Sequence, residues 1–131
     1  MMTNPVARPV TGAALTAPVG PYSPGMLFDR LVFVSGQAGR DPATGVLPAD
    51  VAGQTEQCLR NIATILAAAG SGLPQVLRCG VFLADMRDFP AMNAVYARMF
   101  GDHRPARTTI QAAALPGEGL LVEIDAIGYV P

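Results

Sequence analysis

Apolar positions change rhythm several times along the chain, and the rhythm divides it into elements. Met26-Leu27-Phe28 and Leu31-Val32-Phe33-Val34-Ser35 are two apolar runs parted by Asp29-Arg30, which predicts a β-hairpin. The second run is continuously apolar, as in a strand covered on both faces. After Asp50 the rhythm becomes helical. Val51, Thr55, Cys58, Leu59, Ile62, Ile65, Leu66 and Ala69 recur at steps of three and four, with Asp50 placed as the N-terminal cap and Gly70 as the stop. Residues 76–84 read as another strand. Asp88-Phe89-Pro90 opens a second helix with proline in its first turn, and Phe89, Met92, Tyr96, Met99 and Phe100 give its buried face. Asn93 falls on that same face, four residues after Phe89 and three before Tyr96. Two strands, about 107–112 and 120–129, close the chain around Leu115-Pro116-Gly117-Glu118-Gly119.

With a further strand near residues 9–15, the order is β-β-β-α-β-α-β-β. This predicts an α/β (α+β) two-layer sandwich, a mixed sheet with both helices on one face. The 131 residues suit one domain, residues 1–131. A chain of that size buries roughly 65–70% of the surface its unfolded form exposes. No further helix remains to cover the second sheet face, so contact with another subunit is the economical cover. Charged residues make up only 15% of the chain, low for a monomer's surface, which points the same way. The loop Ala17-Pro18-Val19-Gly20-Pro21-Tyr22-Ser23-Pro24-Gly25 is too rich in proline for a helix or a central strand, and is stiff enough to hold Tyr22 in place. Asp41-Pro42-Ala43-Thr44-Gly45 has the composition of a turn.

Charge narrows the function. All nine basic residues are arginines, and they are scattered, which argues against a nucleic-acid-binding stripe. The absence of lysine excludes Schiff-base chemistry on a side-chain amine. Cys58 and Cys79 form no C-x-x-C pair, and one histidine, His103, is too few to complete a zinc site with them. Both are expected to be reduced, buried thiols. No signal-like or membrane-length apolar run is present, so a soluble cytoplasmic protein is expected.

The remaining chemistry sits at strands and loops. Alternation puts Arg107, Thr109 and Gln111 on one face of their strand, and Glu123 and Asp125 on one face of theirs. Spacing alone leaves two readings open: a cross-strand salt bridge on a wet face, or one polar cleft in which a cation holds a carboxylate and an acid handles protons. Ser35-Gly36-Gln37 is either a plain strand exit or a source of backbone groups for a ligand. Tyr22 either packs on the loop prolines or lines a site. Asn93 reads as a residue satisfying buried backbone groups, and is kept among the substrate-binding candidates. His103, between Asp102 and Arg104, is expected in a solvent-exposed loop.

Gly20-Pro21-Tyr22-Ser23, Val34-Ser35-Gly36-Gln37, the turn at 41–45, Asn93-Ala94-Val95-Tyr96, Pro105-Ala106-Arg107-Thr108 and Val122-Glu123-Ile124-Asp125-Ala126 occur in one order. Together they closely resemble the Rid (reactive intermediate deaminase) family, also called YjgF-type or endoribonuclease L-PSP-type, from about Ala17 to Tyr129. The resemblance implies a chorismate-mutase-like fold and a homotrimer with three sites between subunits. It implies hydrolysis of 2-imino and enamine acids (2-aminoacrylate, 2-iminopropanoate, 2-iminobutanoate) to 2-keto acids and ammonia, with no cofactor and no metal. Carried over, Arg107 clamps the substrate carboxylate and Glu123 positions water or shuttles its proton. Tyr22 and Ser35 line the pocket, and Gly36 and Thr109 offer backbone groups. The chain departs from the pattern at Thr109, where cysteine is frequent, at Pro24, where glutamine is common, and at Ala38-Gly39-Arg40, which bears on substrate range. Two alternatives remain: a non-catalytic trimer binding small carboxylates or keto acids, and a pathway-specific hydrolase acting on another enamine.

Overall fold

The computed structural model describes residues 4–15 and 17–131. Its strands are β1 (Arg8–Pro9), β2 (Gly25–Phe28), β3 (Leu31–Ala38), β4 (Val76–Leu83), β5 (Ala106–Gln111) and β6 (Val122–Tyr129), and its helices are α1 (Val51–Ala68) and α2 (Phe89–Phe100). The strands form one sheet in the order β1-β2-β3-β6-β4-β5. Only β4 and β5 run parallel, and α2 makes the crossover that a parallel pair requires.

The predicted starts and stops of the helices hold. The Asp50 side chain accepts the Gly53 amide at 2.8 Å, capping α1. Gly70 takes a positive φ of 84° just past its end, where a side chain would be strained. Pro90 sits in the first turn of α2, where no backbone hydrogen bond is lost. The first strand is much shorter than expected, only Arg8–Pro9, because the chain turns just beyond it, where the Gly12 carbonyl accepts the Leu15 amide.

Alternation then builds the core. Val32, Val34, Cys79, Val81, Leu83, Val122, Ile124 and Ala126 point to one sheet face and are buried against Cys58, Leu59 and Ile62 of α1 and Met92, Tyr96 and Phe100 of α2. The opposite face carries Met26, Phe28, Leu31, Phe33, Ile110 and Tyr129, which remain 36% to 46% exposed. The apolar run of β3 therefore has cover on one face within the chain, not on both. No described helix is long and apolar enough to cross a membrane.

Candidate functional site

The site begins at an irregularity in β3. Val34 pairs with Ala126 and Gln37 with Ile124, so Ser35 and Gly36 together stand against Asp125. This bulge brings the Gly36 backbone down onto the Glu123 side chain, so closely that a Cβ at Gly36 would collide with the carboxyl. Ser35 Oγ is spent on the Ser23 carbonyl at 2.6 Å, which ties the bulge to the Tyr22 loop. Around Glu123 and Gly36 lies a cleft of about 180 Å³, walled by Tyr22, Pro24, Arg40, Pro116, Gly117 and Leu120 among others. Its far rim is held by Gln54, which is 1% exposed and fully bonded. That side chain donates to the carbonyls of Pro48 (2.8 Å) and Gly119 (3.0 Å) and accepts the Leu121 amide (2.8 Å).

The two acids of β6 separate cleanly. Asp125 Oδ1 accepts the Gly80 amide at 2.7 Å, a bond within the sheet. Glu123 makes no side-chain hydrogen bond or salt bridge among the described residues. Burial raises its pKa above the usual carboxylate value, and the Asp125 charge raises it further. Glu123 is thus an acid able to take and return a proton nearer neutrality than an exposed one. Beneath the cleft the Cys58 thiol donates to the Gln37 carbonyl at 3.1 Å; burial, then the Glu123 charge, pushes its pKa up, so it stays an inert thiol.

Arg107 lies elsewhere, which corrects both readings drawn from spacing. β5 and β6 are not neighbours, because β4 runs between them. Cys79 of β4 pairs with Arg107 on one side and Ala126 on the other, so Arg107 shares the helix-covered face with Ala126. Glu123, one position out of phase, points to the opposite face. The pair forms neither a salt bridge nor a common cleft within one chain. Instead the Arg107 guanidinium carbon sits 4.7 Å from the Tyr96 ring centre and 5.6 Å from that of Phe89. This is a cation held by aromatic faces, with no salt bridge among the described residues. The Tyr96 hydroxyl is buried beside the Cys79 thiol yet meets no partner in hydrogen-bond geometry. Burial is the main cause raising the pKa of both groups.

The other predicted residues divide between these two places. Tyr22, 48% exposed, and Gly36 line the Glu123 cleft. Thr109 is half-buried on the Arg107 face of β5. Asn93 is half-buried on α2 and bonds no buried backbone group among the described residues, so the expected structural duty is not found. His103 is not a free loop residue; its Nε2 meets the Val76 carbonyl at 2.6 Å and its ring packs edge-on to Phe100. The aromatic seat of Arg107 was missed. Its signal was Phe89 and Tyr96, seven residues and two turns apart on one helix face. No cluster of three metal-ligating side chains exists among the described residues.

Residues 11–130 match the family model described as Endoribonuclease L-PSP. The chain is 46% identical over 127 residues to the 2-iminobutanoate/2-iminopropanoate deaminase of Capra hircus, covering 96% of this chain and 92% of that protein. Its fold is similar to the crystal structure of the YjgF gene product from E. coli, with a TM-score of 0.89 at 35% identity over 95% of this chain and 99% of that one. It is also similar to E. coli TdcF, a structure with bound serine, at a TM-score of 0.87 and 34% identity, over 93% and 98% of the two chains.

Proposed function

The chain belongs to the endoribonuclease L-PSP (Rid, YjgF-type) family, and we propose that it hydrolyses small 2-imino and enamine acids at a site shared between two copies of itself. The reaction is the deamination of 2-iminobutanoate, 2-iminopropanoate and 2-aminoacrylate to 2-keto acids and ammonia. The observation that carries the shared site is the split described above. One chain presents Glu123, Gly36 and Tyr22 in a cleft, and presents Arg107 on the other side of the sheet without an acid partner. A neighbouring copy supplies the missing half to each. The exposed apolar face gives that assembly its driving force, since burying it removes Met26, Phe28, Leu31 and Phe33 from water. A cyclic homotrimer satisfies every copy, because a head-to-tail contact that closes on itself leaves no half site over.

The chemistry follows from the residues. Arg107 of one copy holds the substrate carboxylate through its planar fork. Glu123 of the other takes a proton from water as the oxygen adds to the C=N carbon and passes it to the nitrogen, which gives a carbinolamine. Glu123 then takes the carbinolamine's hydroxyl proton and delivers it to the nitrogen as the C–N bond breaks, leaving the ketone and ammonia. An enamine first accepts a proton at its β-carbon, which a carboxyl with a raised pKa can give. Orientation supplies most of the acceleration, because an imine is already electrophilic. Tyr22 closes the cleft, and the backbones of Gly36 and Thr109 offer polar groups to the ligand. Asn93, on the turn of α2 beside Phe89, belongs to the Arg107 half. The domain spans the chain and acts in the cytoplasm. The test couples an enzyme that releases 2-iminopropanoate to pyruvate detection. Added protein speeds pyruvate formation if the reading holds; an unchanged rate contradicts it. Light scattering should give three times the 13.6 kDa chain mass.

A further inference from the structure

Arg40 has no part in the chemistry above, yet it is the only basic residue walling the Glu123 cleft among the described residues. It is held at both ends. The Asn61 side chain, 6% exposed, donates from Nδ2 to the Arg40 carbonyl at 2.9 Å and to the Ala38 carbonyl at 3.1 Å. Asn61 Oδ1 is fixed in turn by Gln57 Nε2 at 2.8 Å. At the far end, Arg40 Nη1 donates to the Gly45 carbonyl at 3.2 Å. That carbonyl belongs to a closed turn, in which Gly45 N bonds Asp41 O at 2.8 Å and Asp41 N bonds Val46 O at 3.0 Å. Arg40 forms no salt bridge among the described residues, with Glu123 or with any other acid. A guanidinium has five N–H donors, and one bond to a carbonyl leaves most of the fork available.

The charges of the completed site then exceed what a monocarboxylic substrate needs. Arg107 of the neighbouring copy takes one carboxylate, and Arg40 is left as a second fixed cation on the same wall as Glu123. We propose that Arg40 pairs with a second, distal carboxylate and makes the site selective for the imines of acidic amino acids. The inference rests on the deamination reading and adds the substrate class to it. It also gives a reason for the chain's departure at Ala38-Gly39-Arg40: the small Ala38 leaves room on the wall that Arg40 charges, while Gly39 lets the strand end pack against Gln54 of α1.

The test compares 2-iminoglutarate with 2-iminopropanoate, each released in situ by an amino-acid oxidase, for the full-length protein and for Arg40→Met and Arg40→Lys. Arg40 is exposed, so neither change should unfold the chain. Arg40→Met should lower kcat/KM for the dicarboxylic imine about 10-fold or more beyond its effect on the monocarboxylic one, mainly through KM, as expected for a lost charge-assisted hydrogen bond. Arg40→Lys should restore part of the loss. Equal effects on both substrates, or none, would overturn the proposal. A second arm separates it from the deamination reading. Calorimetry with 2-oxoglutarate and pyruvate should show the wild type favouring the dicarboxylate, and Arg40→Met losing that preference. If neither imine is accelerated while this preference stands, deamination fails and the dicarboxylate site survives. If the preference is absent, the Arg40 proposal fails whatever the turnover.

Discussion

Glu123 and Arg107 belong to the same sheet but inhabit opposite faces of it, and their surroundings are built for different work. Glu123 is half-buried in a small cleft beside a glycine bulge, where burial and a second acid make it keep its proton longer. Arg107 lies on the helix side of an edge strand, its charge faced by two aromatic rings rather than by an acid. Had strand pairing put them together, each would have neutralised the other, and the arginine would have lowered the glutamate's pKa. Separation keeps the cation available for a ligand's carboxylate and the acid available for protons. Under the proposed function, neither half is a site alone.

The strongest way to break the comparison is to remove the cation. Arg107→Ala should abolish detectable acceleration of 2-iminopropanoate hydrolysis, a loss of about 100-fold or more in kcat/KM, since both the clamp and its charge go. The oligomer and the far-ultraviolet circular dichroism should be unchanged, because the Arg107 side chain makes no hydrogen bond or salt bridge among the described residues. Retained turnover in a folded Arg107→Ala protein would remove this half from the site.

Removing the acid comes next. Glu123→Gln should lower kcat about 100-fold. In the wild type, kcat should rise with pH along a limb that lies above the ordinary carboxylate range, because water activation needs the ionised form and burial delays it. The limb should vanish in Glu123→Gln. Stability runs the other way. Folding raises this pKa, so the favourable contribution is full below the unfolded-state pKa and is lost as pH rises through the folded one. Urea melts of wild type and Glu123→Gln should therefore diverge toward neutral pH, with the glutamine variant gaining.

A smaller effect tests the aromatic seat. Tyr96→Leu should raise KM about 3- to 10-fold, the range expected for a partly desolvated cation–π contact, while kcat changes less. Tyr96→Phe keeps the ring and removes a hydroxyl that has no hydrogen-bond partner, so its KM should match the wild type. Equal kinetics for Leu and Phe would show that the ring does not hold Arg107.

Much of this was legible before any coordinates. Asp50, Gly70 and Pro90 marked the helix ends because caps and proline act through local backbone bonds. The side on which each residue lies within its own strand was equally plain, since alternation is local. The relation between strands was not. Arg107 and Glu123 are out of phase because β4 enters between β5 and β6 with Cys79 as the common register point, a fact of pairing rather than of spacing. The Gly36 approach to Glu123 depends on a bulge that shifts register over two residues. His103 looked like a loop residue from its charged neighbours, and only the return of the chain past Val76 gave it a partner. The resemblance to the family pointed to these residues, and the fold places Arg107 and Glu123 on opposite faces of one sheet.

The most direct test of the shared site mixes two inactive chains. Arg107→Ala and Glu123→Gln subunits, co-expressed with different tags and purified as mixed assemblies, each supply the half the other lacks. In a closed ring of three that holds both chains, one of the three contacts joins an intact Arg107 to an intact Glu123, so activity should return in about a third of the sites. Mixed assemblies as inactive as either parent would contradict the account and put the working cation and acid in one chain.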